Sequence, residues 1–114
     1  MTVGELATSL KLKVLTGHSA ETAEVSGGYA SDLLSCAMAR ARSGNVWVTL
    51  QAHANVVAVA SLLGLAAVII TEGVQPDAAT CAKAEAEGVA LLSSPQTTFA
   101  VVAELSRLGI AASS

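Results

Sequence analysis

The second half of this chain of 114 residues alternates short apolar runs with helical segments, and this alternation restricts the fold more than any other feature. The apolar runs predict buried strands at residues 46–50, 66–71 and 89–93. The predicted helices cover residues 54–63, 76–87 and 94–108, and a glycine follows each of them. Strands that alternate with helices form right-handed crossover units on a parallel sheet. The sequence therefore predicts a single-domain α/β fold, with a parallel or mostly parallel sheet and helices on both faces.

The first part of the chain carries weaker signals for the same architecture. Thr2 and Glu5 have the spacing of a capping box, which predicts a helix to about residue 10. The other predicted elements are a strand at 11–16, a short strand at 24–26, a turn at Gly27-Gly28 and a helix at 31–42. In this interpretation the domain covers residues 1–110, and residues 111–114 form a frayed C-terminus.

Charge is sparse in this chain and unevenly distributed. The six Lys and Arg residues are scattered and the net charge is −3, which argues against a nucleic-acid-binding surface. Between Arg42 and Glu72 the only ionisable residue is His53, and between Glu87 and Glu104 there is none. A monomer of this size usually carries charge on every exposed element. We therefore expect a second copy of the chain to cover part of the surface, in a homodimer or a larger closed assembly.

The predicted helix at residues 54–63 is the candidate interface because it is apolar on nearly all sides. One side is expected to face the sheet and the other to face a partner subunit. Another helix of the same chain is the alternative cover for that second side. The candidate interface residues are Val56, Val57, Val59, Leu62 and Leu63.

The sequence also predicts the cellular compartment of the protein and the redox state of its cysteines. The apolar run at residues 56–70 is broken by Ser61 and Gly64 and is too short to cross a bilayer core of about 30 Å, so no membrane span is expected. Cys36 and Cys81 form no CxxC pair, and no export signal is recognised, so we expect reduced thiols in the cytoplasm. Both cysteines lie inside predicted helices, where packed and slowly reacting thiols are expected.

Ligands of open α/β sheets bind beyond the carboxyl ends of the strands, where helix N-termini present free N–H groups. Seven polar residues near predicted strand ends form the candidate ligand-binding site: His53, Asn55, Thr71, Glu72, Ser94, Thr16 and Ser26. Because Glu72 repels anions and no Lys or Arg is predicted nearby, the expected ligand is small, polar, and uncharged or weakly anionic. The alternative interpretation is that these side chains only cap helices and tie loops together.

Catalytic and metal-binding patterns are weak in this sequence. The motifs GxGxxG and GxxxxGK[ST] are absent, so no nucleotide cofactor is assigned. The spacing of His18, His53, Cys36 and Cys81 matches no zinc-binding pattern. No nucleophile, base and orienting group occur at compatible positions. We therefore assign no catalytic residue, no metal and no cofactor.

The leading interpretation is a non-catalytic binding and regulatory module, with a small polar ligand or a partner protein at the strand ends. An enzyme or enzyme accessory in phosphoryl or acyl transfer that uses His53 is one alternative. His53 is expected as a neutral imidazole, because it lies at a predicted helix N-terminus in an apolar stretch. A pure protein–protein scaffold is the other alternative.

Several strand-end segments together resemble one known family. They are Trp47-Val48-Thr49, the helix start at 53–57, residues 68–73, Pro76, residues 93–98 and, nearer the N-terminus, residues 14–17. Over nearly the whole chain these segments resemble the DRTGG domain. The resemblance implies an α/β fold similar to the domain found in phosphotransacetylases, some CBS-domain proteins and pyrophosphatases. In those proteins the domain is an accessory, regulatory or assembly module.

The resemblance also implies a biological setting. Small stand-alone members of the family are similar to proteins encoded near iron hydrogenases and sensor kinases in anaerobic bacteria, which implies a bacterial accessory protein of a redox or signalling system. The residues that name the family differ here. Ala52-His53 stands where the family has Asp-Arg, and Thr71-Glu72-Gly73 stands where it has Thr-Gly-Gly. An anion site that depends on the arginine is therefore not implied for this chain.

Overall fold

Strands and helices alternate along nearly the whole chain in the computed structural model, which describes residues 1–113. In chain order the elements are α1 (Val3–Ser9), β1 (Lys13–Val14), a 3₁₀ turn (His18–Ala20), β2 (Gly27–Ala30), α2 (Leu34–Arg40), β3 (Asn45–Thr49), α3 (Ala54–Leu63), β4 (Ala67–Ile70), α4 (Ala78–Glu87), β5 (Leu91–Ser93) and α5 (Thr98–Arg107). All helices and strands predicted for the second half of the chain are present.

The strands form one sheet in the order β1-β5-β4-β3-β2. Strands β2, β3, β4 and β5 are mutually parallel, whereas β1 at the edge pairs antiparallel with β5. This topology confirms the predicted α/β fold with a mostly parallel sheet. The single antiparallel strand has a consequence for the functional site, because the end of β1 lies at the opposite edge from the ends of the other strands.

Each face of the sheet carries its own apolar core. Val46 and Val48 of β3 contribute to the core beneath α1 and α5, whereas Trp47 between them contributes to the core beneath α2, α3 and α4. All five residues of β3 are buried, as expected for a parallel strand that is covered on both faces. The indole Nε1 of Trp47 donates a hydrogen bond to the Ser31 carbonyl at 2.9 Å, so its one polar atom is satisfied.

Local capping signals determine where the helices begin and end. The capping box of Thr2 and Glu5 forms as predicted at the start of α1. Asp77 caps α4 by accepting the backbone N–H of Thr80 at 2.8 Å. Gly64 and Gly88, which end α3 and α4, have φ angles of 68°, a left-handed conformation that glycine adopts without steric cost.

The position of β2 differs from the predicted one. The strand predicted at 24–26 followed by a glycine turn is wrong, because Gly27 and Gly28 lie inside β2. A Cβ atom on Gly27 would lie 2.8 Å from the carbonyl oxygen of Ala111, so only glycine allows the C-terminal segment to approach this strand. The pair of glycines reflects a close backbone approach rather than a turn.

The C-terminal segment is tied to the sheet instead of frayed. The Gly28 N–H donates to the Ala111 carbonyl at 2.9 Å, and Ala112 forms a parallel bridge with Gly28. The Nδ2 of buried Asn45 donates to the Ser113 hydroxyl at 2.9 Å. The prediction of a frayed end is therefore wrong for residues 111–113, and residue 114 lies outside the described part of the chain.

The candidate interface on α3 is also corrected by the structure. Val56, Val57 and Val59 are buried within the chain, where α3 contacts both α2 and α4. Leu63 is half-buried, and only Leu62 is largely exposed, at 71%. Helices of the same chain thus cover α3, which was the alternative to a partner subunit. The apolar circumference of α3 is explained by its central place between two other helices.

Two other sequence expectations concern membranes and thiols. Within residues 1–113 no helix combines the length and the apolar character that a membrane span requires. Cys36 and Cys81 are half-buried free cysteines on α2 and α4. Their predicted slow reaction with thiol reagents stays a prediction.

The acidic cap of α4 predicts a pH dependence of stability. The hydrogen bond from the Thr80 backbone lowers the pKa of Asp77 in the folded state. A carboxyl group with a lowered folded pKa stabilises the protein above its unfolded pKa, and this stabilisation is lost as the pH falls through the folded value. We expect Asp77→Asn, which keeps an acceptor at the cap, to flatten the acid side of a plot of unfolding free energy against pH. Urea unfolding between neutral pH and strong acid measures this, and an unchanged acid slope would contradict the prediction.

Candidate functional site

The carboxyl ends of the four parallel strands open at one edge of the sheet, which we call the rim. The rim segments follow β2, β3, β4 and β5 and comprise residues 31–33, 50–53, 71–74 and 94–97. In open α/β sheets this edge is where ligands bind. Five of the seven candidate ligand-binding residues lie on or next to these segments: His53, Asn55, Thr71, Glu72 and Ser94.

Thr71 and Ser94 are buried and make hydrogen bonds within the chain, and the Ser94 carbonyl accepts the Gly73 N–H of the neighbouring rim segment at 3.1 Å. The Thr71 N–H donates to the Thr49 carbonyl at 3.0 Å, and its hydroxyl lies 2.6 Å from the Thr98 hydroxyl. The Ser94 hydroxyl accepts the backbone N–H of Gln96 at 3.1 Å. These two residues join neighbouring rim segments, so the structure favours the capping interpretation for them over ligand contact.

Glu72 combines an unusual backbone conformation with a capping role. Its φ angle is 62°, a left-handed conformation that is uncommon for a residue other than glycine. Its N–H donates to the Gln96 carbonyl at 2.7 Å, and its carboxylate accepts the Thr98 N–H at 2.9 Å. The carboxylate therefore lies at the N-terminus of α5, where the helix dipole favours negative charge.

His53 and Asn55 are the most accessible members of the candidate set. His53 is the N-cap of α3, and its Nδ1 accepts the backbone N–H of Asn55 at 3.3 Å. Both side chains are exposed, so the apolar surroundings expected for His53 are not present. The capping bond leaves the Nε2 edge of the imidazole and the amide of Asn55 facing solvent at the rim.

The structure does not bring Thr16 and Ser26 to the rim. Thr16 follows the antiparallel strand β1, and its hydroxyl donates to the carbonyl of Val89, just before β5 begins, at 2.8 Å. Ser26 precedes β2, and its hydroxyl donates to the Ser43 carbonyl at 3.0 Å. Both residues lie at the amino ends of the parallel strands. Their predicted convergence with the other five is wrong, because one strand is antiparallel and the other begins later than expected.

Two charged residues at this edge were missed by the sequence reasoning. Asp32 follows β2, and its Oδ1 accepts the Thr49 hydroxyl and the Leu50 N–H, each at 2.9 Å. The sequence analysis included Asp32 in a helix predicted from residue 31 and not among the strand-end residues. Lys13 lies in register with Ser93, because β1 runs antiparallel to β5. The expectation of one carboxylate and no cation near the rim is therefore wrong.

Metal-ligating residues do not cluster in the described part of the chain. Among residues 1–113, no group of three or more His, Cys, Asp or Glu side chains is arranged to hold a metal ion. His18 lies on the 3₁₀ turn after β1, where its Nδ1 is 3.5 Å from the Glu21 carboxylate. His53 is at the rim, and the two cysteines lie in separate helices. These four residues are thus distributed over different elements of the fold.

Comparison with known families identifies the fold. A model of the DRTGG domain matches residues 5–108 of this sequence. The chain belongs to the DRTGG domain family. The match covers both the rim and the helices on the two faces of the sheet. No curated protein sequence matches this DRTGG domain.

A solved structure shares the fold of this DRTGG domain. It is the crystal structure of the CBS and DRTGG domains of the regulatory region of a Clostridium perfringens pyrophosphatase, in complex with the activator diadenosine tetraphosphate. The TM-score is 0.74 at 11% sequence identity. The alignment covers 91% of this chain and 45% of that one, so this chain spans less than half of the regulatory region.

The conformation of Glu72 yields a paired prediction. Relative to the wild type, Glu72→Ala removes the carboxylate from the N-terminus of α5 while keeping a left-handed residue with a Cβ atom. Glu72→Gly removes the same carboxylate and also relieves the conformational strain. We expect Glu72→Gly to be more stable than Glu72→Ala by about 1 kcal/mol, since only glycine adopts this φ freely.

Chemical unfolding of both variants beside the wild type measures this difference. The alanine variant is the matched control because both substitutions lose the hydrogen bond to Thr98. Equal stabilities for the two variants would show that the left-handed backbone at residue 72 carries no cost.

Proposed function

We propose that this DRTGG domain is a non-catalytic regulatory module that forms a homo-oligomer and binds a small polar ligand, or a partner protein, at its rim. The observation that carries the proposal is the family match over residues 5–108, together with a fold shared with the regulatory region of a pyrophosphatase. That regulatory region is complexed with an activator. A domain of the same family with the same fold is suited to the same general role.

The chemistry of the rim supports a small polar ligand. His53 and Asn55 are exposed at the rim, where they offer an imidazole and an amide. The N-termini of α3 and α5 lie at the same edge and are capped by His53, Thr97 and Glu72. The carboxylates of Glu72 and Asp32 repel a ligand that carries several negative charges. Lys13, in register with the end of β5, reduces this repulsion in part. This balance favours an uncharged or weakly anionic ligand over a polyphosphate.

Two arrangements support a binding role rather than turnover. The Nδ1 of His53 is occupied by the capping bond to the Asn55 N–H, so this nitrogen is not free to act as a base. The thiols of Cys36 and Cys81 are half-buried and lie on two separate helices, α2 and α4. Phosphoryl or acyl transfer through His53 gains no support from this geometry.

We further propose a cytoplasmic bacterial protein that is an accessory of a redox system of the hydrogenase type or of a signalling system. The support is the likeness to stand-alone DRTGG proteins encoded beside such enzymes. In this setting the rim, or the surface beside it, would contact the partner enzyme.

Substitution of the two exposed rim residues tests the ligand site. We expect adenosine, as an uncharged probe, to bind more tightly than diadenosine tetraphosphate, because the rim carries two carboxylates. The double variant His53→Asn/Asn55→Ala keeps a good helix cap while it removes the imidazole and the amide. Binding should weaken by about 10-fold or more in this variant, which corresponds to about 1.4 kcal/mol.

Isothermal titration with each probe, with thermal unfolding in parallel, measures both properties. Ser26→Ala at the opposite edge of the sheet is the matched control and should bind like the wild type. Loss of thermal stability without detectable binding of either probe to the wild type would favour helix capping as the whole role of these residues.

A further inference from the structure

An apolar groove of about 510 Å³ lies on the sheet face that α1 and α5 cover. Its floor is formed by β2 and β3, and its walls by α5 and the C-terminal segment. The lining includes Ala30, Val48, Val102, Leu105 and Ile110. Two helices cover this face and three cover the other, so sheet surface beside α5 is left without a helix above it.

The exposed face of α5 beside this groove is apolar and uncharged. Phe99 has 86% of its side chain exposed, and Val102, one turn later, has 39% exposed. Phe99, Val102 and Ser106 follow one another at helical spacing, so they form one stripe along the helix. The stripe carries no ionisable group, and its first part belongs to the stretch between Glu87 and Glu104 that has none. The exposed ion pair of Glu104 and Arg107 lies beside the C-terminal end of the stripe.

The stripe and the groove occupy positions along α5 that a twofold rotation would bring opposite each other. Phe99 is at the start of α5, whereas the groove extends past Ser106 to Ile110 at the end of the helix. Phe99 and Ser106 are seven positions apart, which is about 10.5 Å along an α-helix. A twofold axis near Val102 places each Phe99 over the far end of the groove of the other copy. Such a self-complementary patch is what an isologous dimer interface requires.

We propose that two copies of this chain associate through antiparallel α5 helices, with Phe99 of each copy in the groove of the other. The partner α5 takes the place of the missing third helix on this face of the sheet. This inference rests on the proposed homo-oligomeric function and names the surface that forms it. The α5 surface takes the place of α3 as the candidate interface, because Leu62 is the only large apolar side chain of α3 that is exposed.

Sedimentation velocity over a range of protein concentrations tests the surface. Phe99→Asp should raise the dimer dissociation constant by about 30-fold or more, as expected for a central aromatic anchor. Leu62→Asp is the matched control, since Leu62 is comparably exposed on α3, and it should leave the dimer unchanged. Because Phe99 is exposed within a single chain, both variants should keep the circular dichroism spectrum and the melting curve of a folded protein.

Disulfide trapping tests the register of the two helices. In a background of Cys36→Ser and Cys81→Ser, Val102→Cys should form an intersubunit disulfide under mild oxidation, because the twofold axis passes close to residue 102. The Cα atoms of facing helices there come within the separation of about 4.4–6.8 Å that a disulfide requires. Leu62→Cys in the same background should give no crosslinked dimer.

The outcomes separate this inference from the proposed function. A wild-type protein that stays monomeric at all concentrations would overturn the homo-oligomer and this surface together. A dimer that survives Phe99→Asp and gives no crosslink with Val102→Cys would overturn this surface alone, and the groove would then belong to a small apolar ligand or another protein. Ligand binding at the rim is measured separately and does not depend on either result.

Discussion

The parallel pairing of β3 with β4 is the interaction on which the rest of the structure depends. Trp47 pairs with Val68 and Val48 with Ile69, so two fully buried strands send alternate side chains into the two cores. Since both faces of this pair are apolar, helices must cover both. The crossover between the strands carries α3 across one face. The strand ends, and therefore the rim, follow from this pairing.

Polar residues at the rim hold the strand ends in register. Thr49 at the end of β3 accepts a hydrogen bond from the Thr71 N–H and donates its own hydroxyl to Asp32, so it connects β2, β3 and β4. Glu72 and Thr98 then connect β4 to the start of α5. These hydrogen bonds satisfy buried polar groups, which would lower the stability of the fold if they had no partner. They also leave the exposed side chains of His53 and Asn55 as the accessible part of the site, because those two belong to no such connection.

The uneven number of helices on the two faces accounts for the distribution of exposed apolar surface. Three helices cover one face, so the valines of α3 are buried within the chain although this helix is apolar on nearly all sides. On the other face α5 has a groove on one side and an exposed Phe99 at its start. Large exposed apolar side chains are thus more numerous on α5, with Phe99 and Val102, than on α3, with Leu62.

Local chemistry made much of this architecture predictable from the sequence by itself. The cap at Thr2, the glycines after α3 and α4, and the apolar central strands depend on neighbouring residues or on burial alone, and they form as predicted. The helix predicted from residue 76 begins two residues later, with Asp77 as its N-cap. The same reasoning located Thr71 and Ser94 correctly at the carboxyl ends of strands. Periodicity of strands and helices indicated the fold class, whereas the family was indicated by the resemblance of the strand-end segments.

Only the tertiary structure decided the direction of β1, the position of β2 and the cover of α3. Strand direction depends on pairing between residues distant in sequence, and it moved Thr16 away from the rim while it brought Lys13 toward it. The close approach of residues 111–113 to β2 requires glycine at residue 27. Because β2 begins at Gly27, Ser26 lies at the opposite edge and Asp32 lies at the rim. The hydrophobic periodicity of the sequence indicates that a side chain is buried. Which segment of the chain covers that side chain depends on the packing of the whole molecule.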